Sequence, residues 1–314
     1  MADSETENWE RQVLQKLALS AVQEQRRARQ WGIFFKLLTF IYLFLLVFLA
    51  IGWLGTKDSV TTGNHSALVE LDGVISSDSG ASAERVTTGL KDAFEDKNTK
   101  GVILRINSPG GSPVQSSTIN TEIHRLREKY PNVPLYAVVE DLCASGGYYV
   151  AVAADKIFVD QASILGSIGV LMDSFGLTDA IDKLGIERRL FTAGENKGFL
   201  DPFSPIEPEQ KRHVQLMLSE IHQQFIAAVR KGRGSRLKDN PEIFSGLVWT
   251  GERSIALGLA DAIGNVDYVA REIIKAEDIV DFTPKESLAE RLAKKLGTGV
   301  TGALLGAMRA PSVR

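Results

Sequence analysis

The chain has 314 residues, of which 44% are hydrophobic and 24% charged, and its net charge at pH 7 is −3. This is the composition of a folded globular protein, and the lack of a basic excess argues against a nucleic-acid partner. The single cysteine, Cys143, excludes an internal disulfide framework and a multi-cysteine zinc site, and the four scattered histidines form no HExxH pair, so no metal or other cofactor is expected.

A long apolar run near the N-terminus predicts a transmembrane anchor at residues 33–54. Residues 37–54 carry no charge, and about 20 such residues cross the hydrocarbon core of a bilayer. About thirty mostly polar residues precede the run and no clean cleavage site follows it. These features favour an uncleaved anchor over a cleaved signal peptide or the buried helix of a soluble protein.

Cations flank this anchor unequally. Three arginines within residues 26–29, together with Lys36, lie on its N-terminal side, whereas Lys57 is the only close cation beyond it. The positive-inside rule therefore predicts that residues 1–32 are cytoplasmic and that the rest of the chain is exported.

Strands and helices alternate after a predicted polar linker at residues 55–66. This alternation predicts an α/β domain over residues 67–284, with a parallel sheet covered by helices. A C-terminal helix and tail are predicted at 285–314, with the last ten or so residues disordered. The predicted strands are 67–75, 101–106, 135–139, 157–160 and 168–173. The predicted helices are 82–96, 113–130, 146–154, 207–231, 252–258 and 266–275.

The first segment with candidate functional groups is the turn NSPGGSP, residues 107–113, which follows the second predicted strand. Ser112 suits the N-cap of the next helix, and Pro113 suits its first turn. The adjacent glycines, Gly110 and Gly111, allow backbone N–H groups to face a ligand without obstruction by side chains. The segment is therefore either a tight strand-to-helix turn or one wall of an oxyanion hole.

The second such segment is CASGGYY, residues 143–149, at another predicted strand-to-helix junction. Ser145 is expected at the helix N-terminus, where partial positive charge favours a developing oxyanion, and the Gly146 N–H is the natural donor beside it. Two glycines weaken a helix by about 1 kcal/mol each relative to alanine. This cost is unexpected for a simple Ser cap, and it is reasonable at a position where a substrate must approach the backbone. Cys143 is expected on the buried strand and is interpreted as a core residue.

A nucleophilic serine needs a base, and Lys197 is the better candidate because none of the four histidines lies in a distinctive loop. Lys197 lies in the loop TAGENKGF, residues 192–199, just beyond a strand-like run, RRLF. To act as a base the lysine must be neutral, and burial among apolar groups favours that state. Since a single lysine is more often a solvated surface residue, these residues alone leave the choice open.

Five segments resemble, in their order and spacing, the signal peptide peptidase A family of bacterial membrane-anchored Ser/Lys peptidases. They are SPGGS, ASGGYYVAVAADKI, LGSIGV, GENKGFLDPF and VWTGERSIALGLAD. The resemblance extends from about residue 67 to residue 275, and the predicted anchor fits the shorter, single-domain members. One departure is Pro113-Val114 after SPGGS, where an apolar residue is expected directly; this change would affect the nearby substrate pocket and not the dyad.

The resemblance implies a role for each motif. Ser145 is the implied nucleophile, Lys197 the general base, and Ser167 of the GSIGV motif a residue that orients the lysine by a hydrogen bond. The implied oxyanion-hole donors are Gly111, or else Gly110, together with Gly146.

The resemblance also implies a Clp-protease/crotonase-like fold of repeated ββα units and a ring-shaped homo-oligomer. The implied substrates are remnant signal peptides and other apolar segments on the periplasmic side of the bacterial inner membrane. Two alternatives stay open: a crotonase-type acyl-CoA enzyme, which shares the fold and the paired-glycine oxyanion hole, and a catalytically inactive membrane scaffold. The predicted anchor, the predicted export and the presence of Lys197 in the GENKGFLDPF motif argue against the acyl-CoA enzyme.

Overall fold

The computed structural model describes residues 2–54 and 63–284. The chain divides into two compact units, Met1–Val60 and Thr61–Arg314. Most of the predicted linker, and the whole of the predicted C-terminal helix and tail, lie outside the described residues.

The first unit is one long helix, α1 (Ala2–Leu54). Among the described residues, only its stretch Val22–Phe48 is long and apolar enough to cross a membrane, and none of the stretch is buried by other parts of the protein. The predicted anchor, residues 33–54, lies on this helix. The predicted apolar helix ahead of the α/β unit is therefore confirmed.

The second unit is built on a sheet of eight strands in which β6-β5-β3-β2-β1-β8 form the main path, β4 pairs with β3, and β7 pairs with β4. Every pair is parallel except β5 with β6. The predicted α/β class with a largely parallel sheet is confirmed. The strands are β1 (His65–Asp72), β2 (Thr99–Ser108), β3 (Leu135–Ala144), β4 (Lys156–Val159), β5 (Ile164–Gly166), β6 (Val248–Thr250), β7 (Ala262–Ile263) and β8 (Ile279–Asp281).

Helices connect these strands and cover the sheet. Helix α8 continues as a π-helical turn, Val269–Ile274, and the chain also forms 3₁₀ turns at Gly234–Arg236 and Pro241–Phe244. The helices are α2 (Ala83–Glu95), α3 (Pro113–Lys129), α4 (Gly146–Ala151), α5 (Thr178–Lys183), α6 (Pro208–Arg233), α7 (Gly251–Ala256) and α8 (Val266–Tyr268).

The central strands are buried on both faces, as expected for a parallel sheet. Consecutive residues of a strand point to opposite faces, and in β1 Val69 joins the main core whereas Leu68 joins a smaller cluster on the other side. Helix α2 contributes Val86 and Leu90 to the main core, as its apolar periodicity predicted. The π-helical turn supplies Val269 to the smaller cluster.

A buried ion pair fixes the end of α6. The Arg233 side chain is 1% exposed, and its guanidinium donates to both oxygens of Asp261, at 2.7 and 3.0 Å, and to the Gly258 carbonyl at 2.7 Å. Asp261 also accepts from the Ile157 amide at 2.7 Å. Since Ile157 lies on β4, this network ties the long helix to the sheet.

The predicted strand at residues 168–173 is wrong. The strand instead occupies Ile164–Gly166, and the chain turns at Gly166 (φ 111°) and Ser167 (φ 51°), both in the left-handed region, which ends strand geometry. The strand-like run RRLF also has no regular structure. Strand β1, which lies between β2 and β8, begins at His65, so the last two residues of the predicted linker belong to the sheet.

Candidate active site

Ser145 stands between β3 and α4, as its sequence context predicted. It is the N-cap of α4 and adopts φ 52° and ψ −122°, a conformation that residues with a side chain rarely enter. Such strain persists only where the surrounding structure fixes it, and it clusters at functional sites. Immediately upstream, Cys143 is fully buried and burial raises the pKa of its thiol, so it is a core residue as interpreted from the sequence.

The SPGG turn lies directly against Ser145. Gly110 and Gly111 have φ values of 94° and 150°. A β-carbon on Gly110 would lie 2.5 Å from the Gly146 nitrogen and 2.7 Å from the Ser145 β-carbon. Only glycine at position 110 therefore allows this close approach of the two turns.

Two backbone N–H groups are free at this junction. The Gly110 amide is engaged, since it donates to the Ser108 hydroxyl at 3.1 Å. Among the described residues, the amides of Gly111 and Gly146 have no hydrogen-bond partner. Of the two alternatives that the resemblance left for the SPGG turn, the geometry favours Gly111 as the donor that acts with Gly146.

A third turn, residues 166–169, completes the junction. The Ser145 amide donates to the Gly166 carbonyl at 2.8 Å, and the Ser167 amide donates to the Leu247 carbonyl at 2.7 Å. These backbone bonds place Ser167, also left-handed at φ 51°, beside the same cavity as Ser145. The structure therefore brings together Ser145, Gly111, Gly146 and Ser167.

The cavity beside Ser145 has a volume of about 840 Å³. Its apolar surface comes largely from α3, α4 and α6, including Val114, Tyr149, Ile221 and Phe225. Val114 is 70% exposed at the cavity, so the Pro113-Val114 departure lies where the sequence analysis expected it to affect the pocket. An apolar cavity with a few convergent polar groups suits a peptide side chain or a comparable organic group.

The contribution of α6 to this cavity was not predicted from the sequence. The apolar spacing of Ile221 and Phe225 was a signal for a helix with one buried face, and it gave no indication of what that face contacts. His222 lies on the same helix, and its Nε2 is 3.1 Å from the Ile168 carbonyl oxygen.

The structure does not bring Lys197 to Ser145. Lys197 is exposed, its amide donates to the Gly194 carbonyl at 3.1 Å, and it is absent from the residues that line the Ser145 cavity. Its loop instead contacts α6 through the Phe199 ring, whose centroid is 5.6 Å from that of His213. The apolar surroundings expected for a neutral lysine are therefore not formed around Lys197 within the described chain.

The family model for peptidase family S49 matches residues 127–280. The putative protease MJ0651 of Methanocaldococcus jannaschii is 32% identical over 227 residues, which cover 69% of this chain and 72% of that protein. The chain belongs to peptidase family S49. A putative signal peptide peptidase SppA of Enterococcus faecium is 30% identical over 196 residues, 62% of this chain and 56% of that protein. These S49 relatives confirm the resemblance to the signal peptide peptidase A family.

Two Brucella relatives of this S49 chain carry a different name. The Na(+)/H(+) antiporter NhaA of Brucella melitensis is 46% identical over 177 residues, 56% of this chain. The match covers 24% of the antiporter's length, so the shared part is a minor portion of that protein.

Proposed function

We propose that this S49 chain is a membrane-anchored serine endopeptidase whose nucleophile is Ser145. The observation that carries the proposal is the position of Ser145 beside an apolar cavity, at a junction where the amides of Gly111 and Gly146 have no hydrogen-bond partner among the described residues. In acyl transfer, two such donors stabilise the negative oxygen of the tetrahedral intermediate. Family membership supports peptide bonds, and not thioesters of coenzyme A, as the substrate.

The proposed reaction has two halves. The Ser145 Oγ attacks the peptide carbonyl, Lys197 accepts the serine proton, and the C–N bond breaks as that proton passes to the leaving amine. Water then attacks the Ser145 ester with Lys197 again accepting a proton, and that proton passes to the Ser145 Oγ as the acyl–oxygen bond breaks and the peptide acid leaves. Ser167 is proposed to orient the lysine, and its place on the same cavity as Ser145 supports this role.

This mechanism requires that the loop that carries Lys197 moves toward Ser145, or that a second subunit completes the site. The segment that carries Lys197 exposes large apolar side chains, including Phe191 at 90% and Phe175 at 80%, together with Leu184. Exposed apolar area of this kind marks an interaction surface. A ring-shaped homo-oligomer, in which a second copy covers this segment, would bury these side chains and dehydrate the lysine.

The proposed substrates are remnant signal peptides and other apolar peptide segments. The apolar cavity lining supports this class, because burial of an apolar side chain from the peptide stabilises the complex. The apolar stretch of α1 supports a single-pass anchor, and the cations at its N-terminal side support a cytoplasmic N-terminus with the peptidase unit on the periplasmic face of the inner membrane.

Active-site labelling tests the proposal. The full-length protein in detergent is treated with a serine-directed fluorophosphonate, and the modified residue is located by peptide mass spectrometry. Labelling at Ser145, its loss in Ser145→Ala, and hydrolysis of an apolar peptide ester by the wild type are expected. A folded wild-type protein that neither labels nor hydrolyses would favour the inactive scaffold, and turnover of an acyl-CoA but not of the peptide would favour the crotonase-type enzyme.

A further inference from the structure

We infer that His222 is a positioning residue for the turn that carries Ser167, an inference that rests on the proposed function for its catalytic consequence. His222 is half-buried on α6, and its Nε2 lies 3.1 Å from the carbonyl oxygen of Ile168. A carbonyl oxygen can only accept a hydrogen bond, so the imidazole Nε2 carries the hydrogen and donates it.

The turn at residues 166–169 needs external support. Ser167 is left-handed at φ 51°, and the Gly169 amide donates back to the Ser167 carbonyl at 2.9 Å, which makes a tight local turn. A residue with a β-carbon keeps such a conformation only where several contacts fix it. The conformation of this turn therefore depends on the groups that bond to it from outside.

Most of that support comes from the backbone. Gly166 accepts from the Ser145 amide, and Ser167 donates to the Leu247 carbonyl. Within the part of the chain that the structure describes, His222 supplies the only side-chain hydrogen bond to residues 166–169. Among the described residues it is thus the one hydrogen bond to the turn that a side-chain substitution can remove without a change of backbone.

His222 also joins two walls of the Ser145 cavity. Its neighbours on α6, Ile221 and Phe225, line one wall, and Gly169 and Val170, just after its hydrogen-bond partner, line another. Loss of the bond frees the second wall, together with the Ser167 hydroxyl, to move relative to the first. Since His222 does not itself line the cavity, it acts through the turn and is not a catalytic residue.

The test compares His222→Ala, His222→Gln and a control on the adjacent residue of the same helix, the exposed Gln223→Ala. We expect His222→Ala to lower kcat for an apolar peptide ester and the rate of Ser145 labelling by about tenfold or more, with a smaller change in KM, because sub-ångström misplacement of reacting groups has effects of that size. A glutamine amide can donate to the same carbonyl, so His222→Gln is expected to recover most of the rate.

A readout that does not depend on activity separates this inference from the proposed function. Hydrogen exchange at the Ser145 and Ser167 amides should speed up in His222→Ala and not in Gln223→Ala. If the wild type neither labels nor hydrolyses, the proposed function fails, while the exchange measurement still tests the positioning. Exchange and kcat equal to those of Gln223→Ala would overturn the inference. If His222→Ala unfolds, the glutamine variant decides: wild-type kcat and exchange support the inference, and a folded variant with the full loss overturns it.

Discussion

The Ser145 amide donates to the Gly166 carbonyl at 2.8 Å, so the proposed nucleophile and the turn of Ser167 are joined by one backbone hydrogen bond. Both Ser145 and Ser167 are left-handed, at φ 52° and 51°. Two strained residues that support each other across a single bond form one structural unit. A change on either side of that bond is therefore expected to reach the other.

Lys197→Ala and Lys197→Arg should each abolish peptide hydrolysis. Alanine removes the proton acceptor, and arginine keeps its charge and cannot give up a proton at working pH. The rate of the wild type should rise toward alkaline pH, because only the neutral amine can accept the serine proton. The measurement is kcat/KM against pH, with thermal melts to confirm folding.

The matched control for Lys197 is Lys183→Ala, an exposed lysine in the same segment, at the end of α5. It should keep wild-type activity. Because the serine and its base act as one unit, Ser145→Ala/Lys197→Ala should be hardly slower than either single variant. A folded Lys197→Ala with near-wild-type turnover would remove the lysine from the mechanism.

Gly146→Ala should destabilise the protein even though alanine is the better helix former. A β-carbon at this position would lie 2.4 Å from the Ser116 hydroxyl oxygen, and overpacking of this kind costs about 1–3 kcal/mol. Ser116→Ala removes that oxygen, so Gly146→Ala/Ser116→Ala should be more stable than Gly146→Ala alone. Urea denaturation of the four proteins measures the coupling. Strictly additive changes in the free energy of unfolding would show that the two side chains do not meet.

Arg233→Met should lower the free energy of unfolding by about 3–5 kcal/mol, because it leaves the Asp261 carboxylate half-buried without its main partner. The control is Lys231→Met, an exposed residue on the same helix, for which a change within about 0.5 kcal/mol is expected. Urea denaturation at neutral pH measures both. Equal stability of the two variants would mean that the ion pair does not anchor α6.

Asp261 should make the protein sensitive to acid. Burial raises the pKa of this carboxyl, but the hydrogen bonds from Arg233 and from the Ile157 amide outweigh burial and hold the pKa below its ordinary value. A carboxyl with a lowered folded-state pKa contributes stability above its unfolded pKa of about 3.9, and the contribution is lost as the pH falls through the folded value. Unfolding midpoints in urea from neutral pH to about pH 3 should therefore fall less steeply for Asp261→Asn than for the wild type. The control is Glu252→Gln, an exposed carboxyl with no ion-pair partner among the described residues, and it should follow the wild-type curve.

Membrane topology can be measured with phosphatase fusions. An enzyme that is active only after export should be active when fused at residue 60 and inactive when fused near residue 25, because four cations precede the uncharged run and one follows closely. The reverse pattern of activity would place the peptidase unit in the cytoplasm.

Local patterns were sufficient to predict the two glycine-rich turns. Each follows a buried strand and begins a helix, so the strand ends, the helix caps and the special backbone angles are all determined by neighbouring residues. The structure accordingly places Ser145, Gly111 and Gly146 together at the carboxyl ends of β2 and β3.

Features that depend on distant contacts were not predictable in the same way. Strands β7 and β8 have two and three residues, and they are strands only because β4 and β1 pair with them. The predicted strand at 168–173 failed because left-handed residues at 166 and 167 turn the chain before it. The position of Lys197 depends on the residues that pack against its loop, and the sequence of the loop does not indicate which residues those are.

The left-handed backbone at residue 145 also limits which side chains can serve there as a nucleophile. Serine, cysteine and threonine all support acyl transfer in enzymes. A β-branched residue is a true outlier at positive φ. Threonine at position 145 would therefore have to distort the backbone whose amide donates to the Gly166 carbonyl. The backbone conformation at residue 145 is therefore compatible with serine or cysteine and incompatible with threonine. This restriction is independent of any difference in reactivity between the hydroxyl and the thiol.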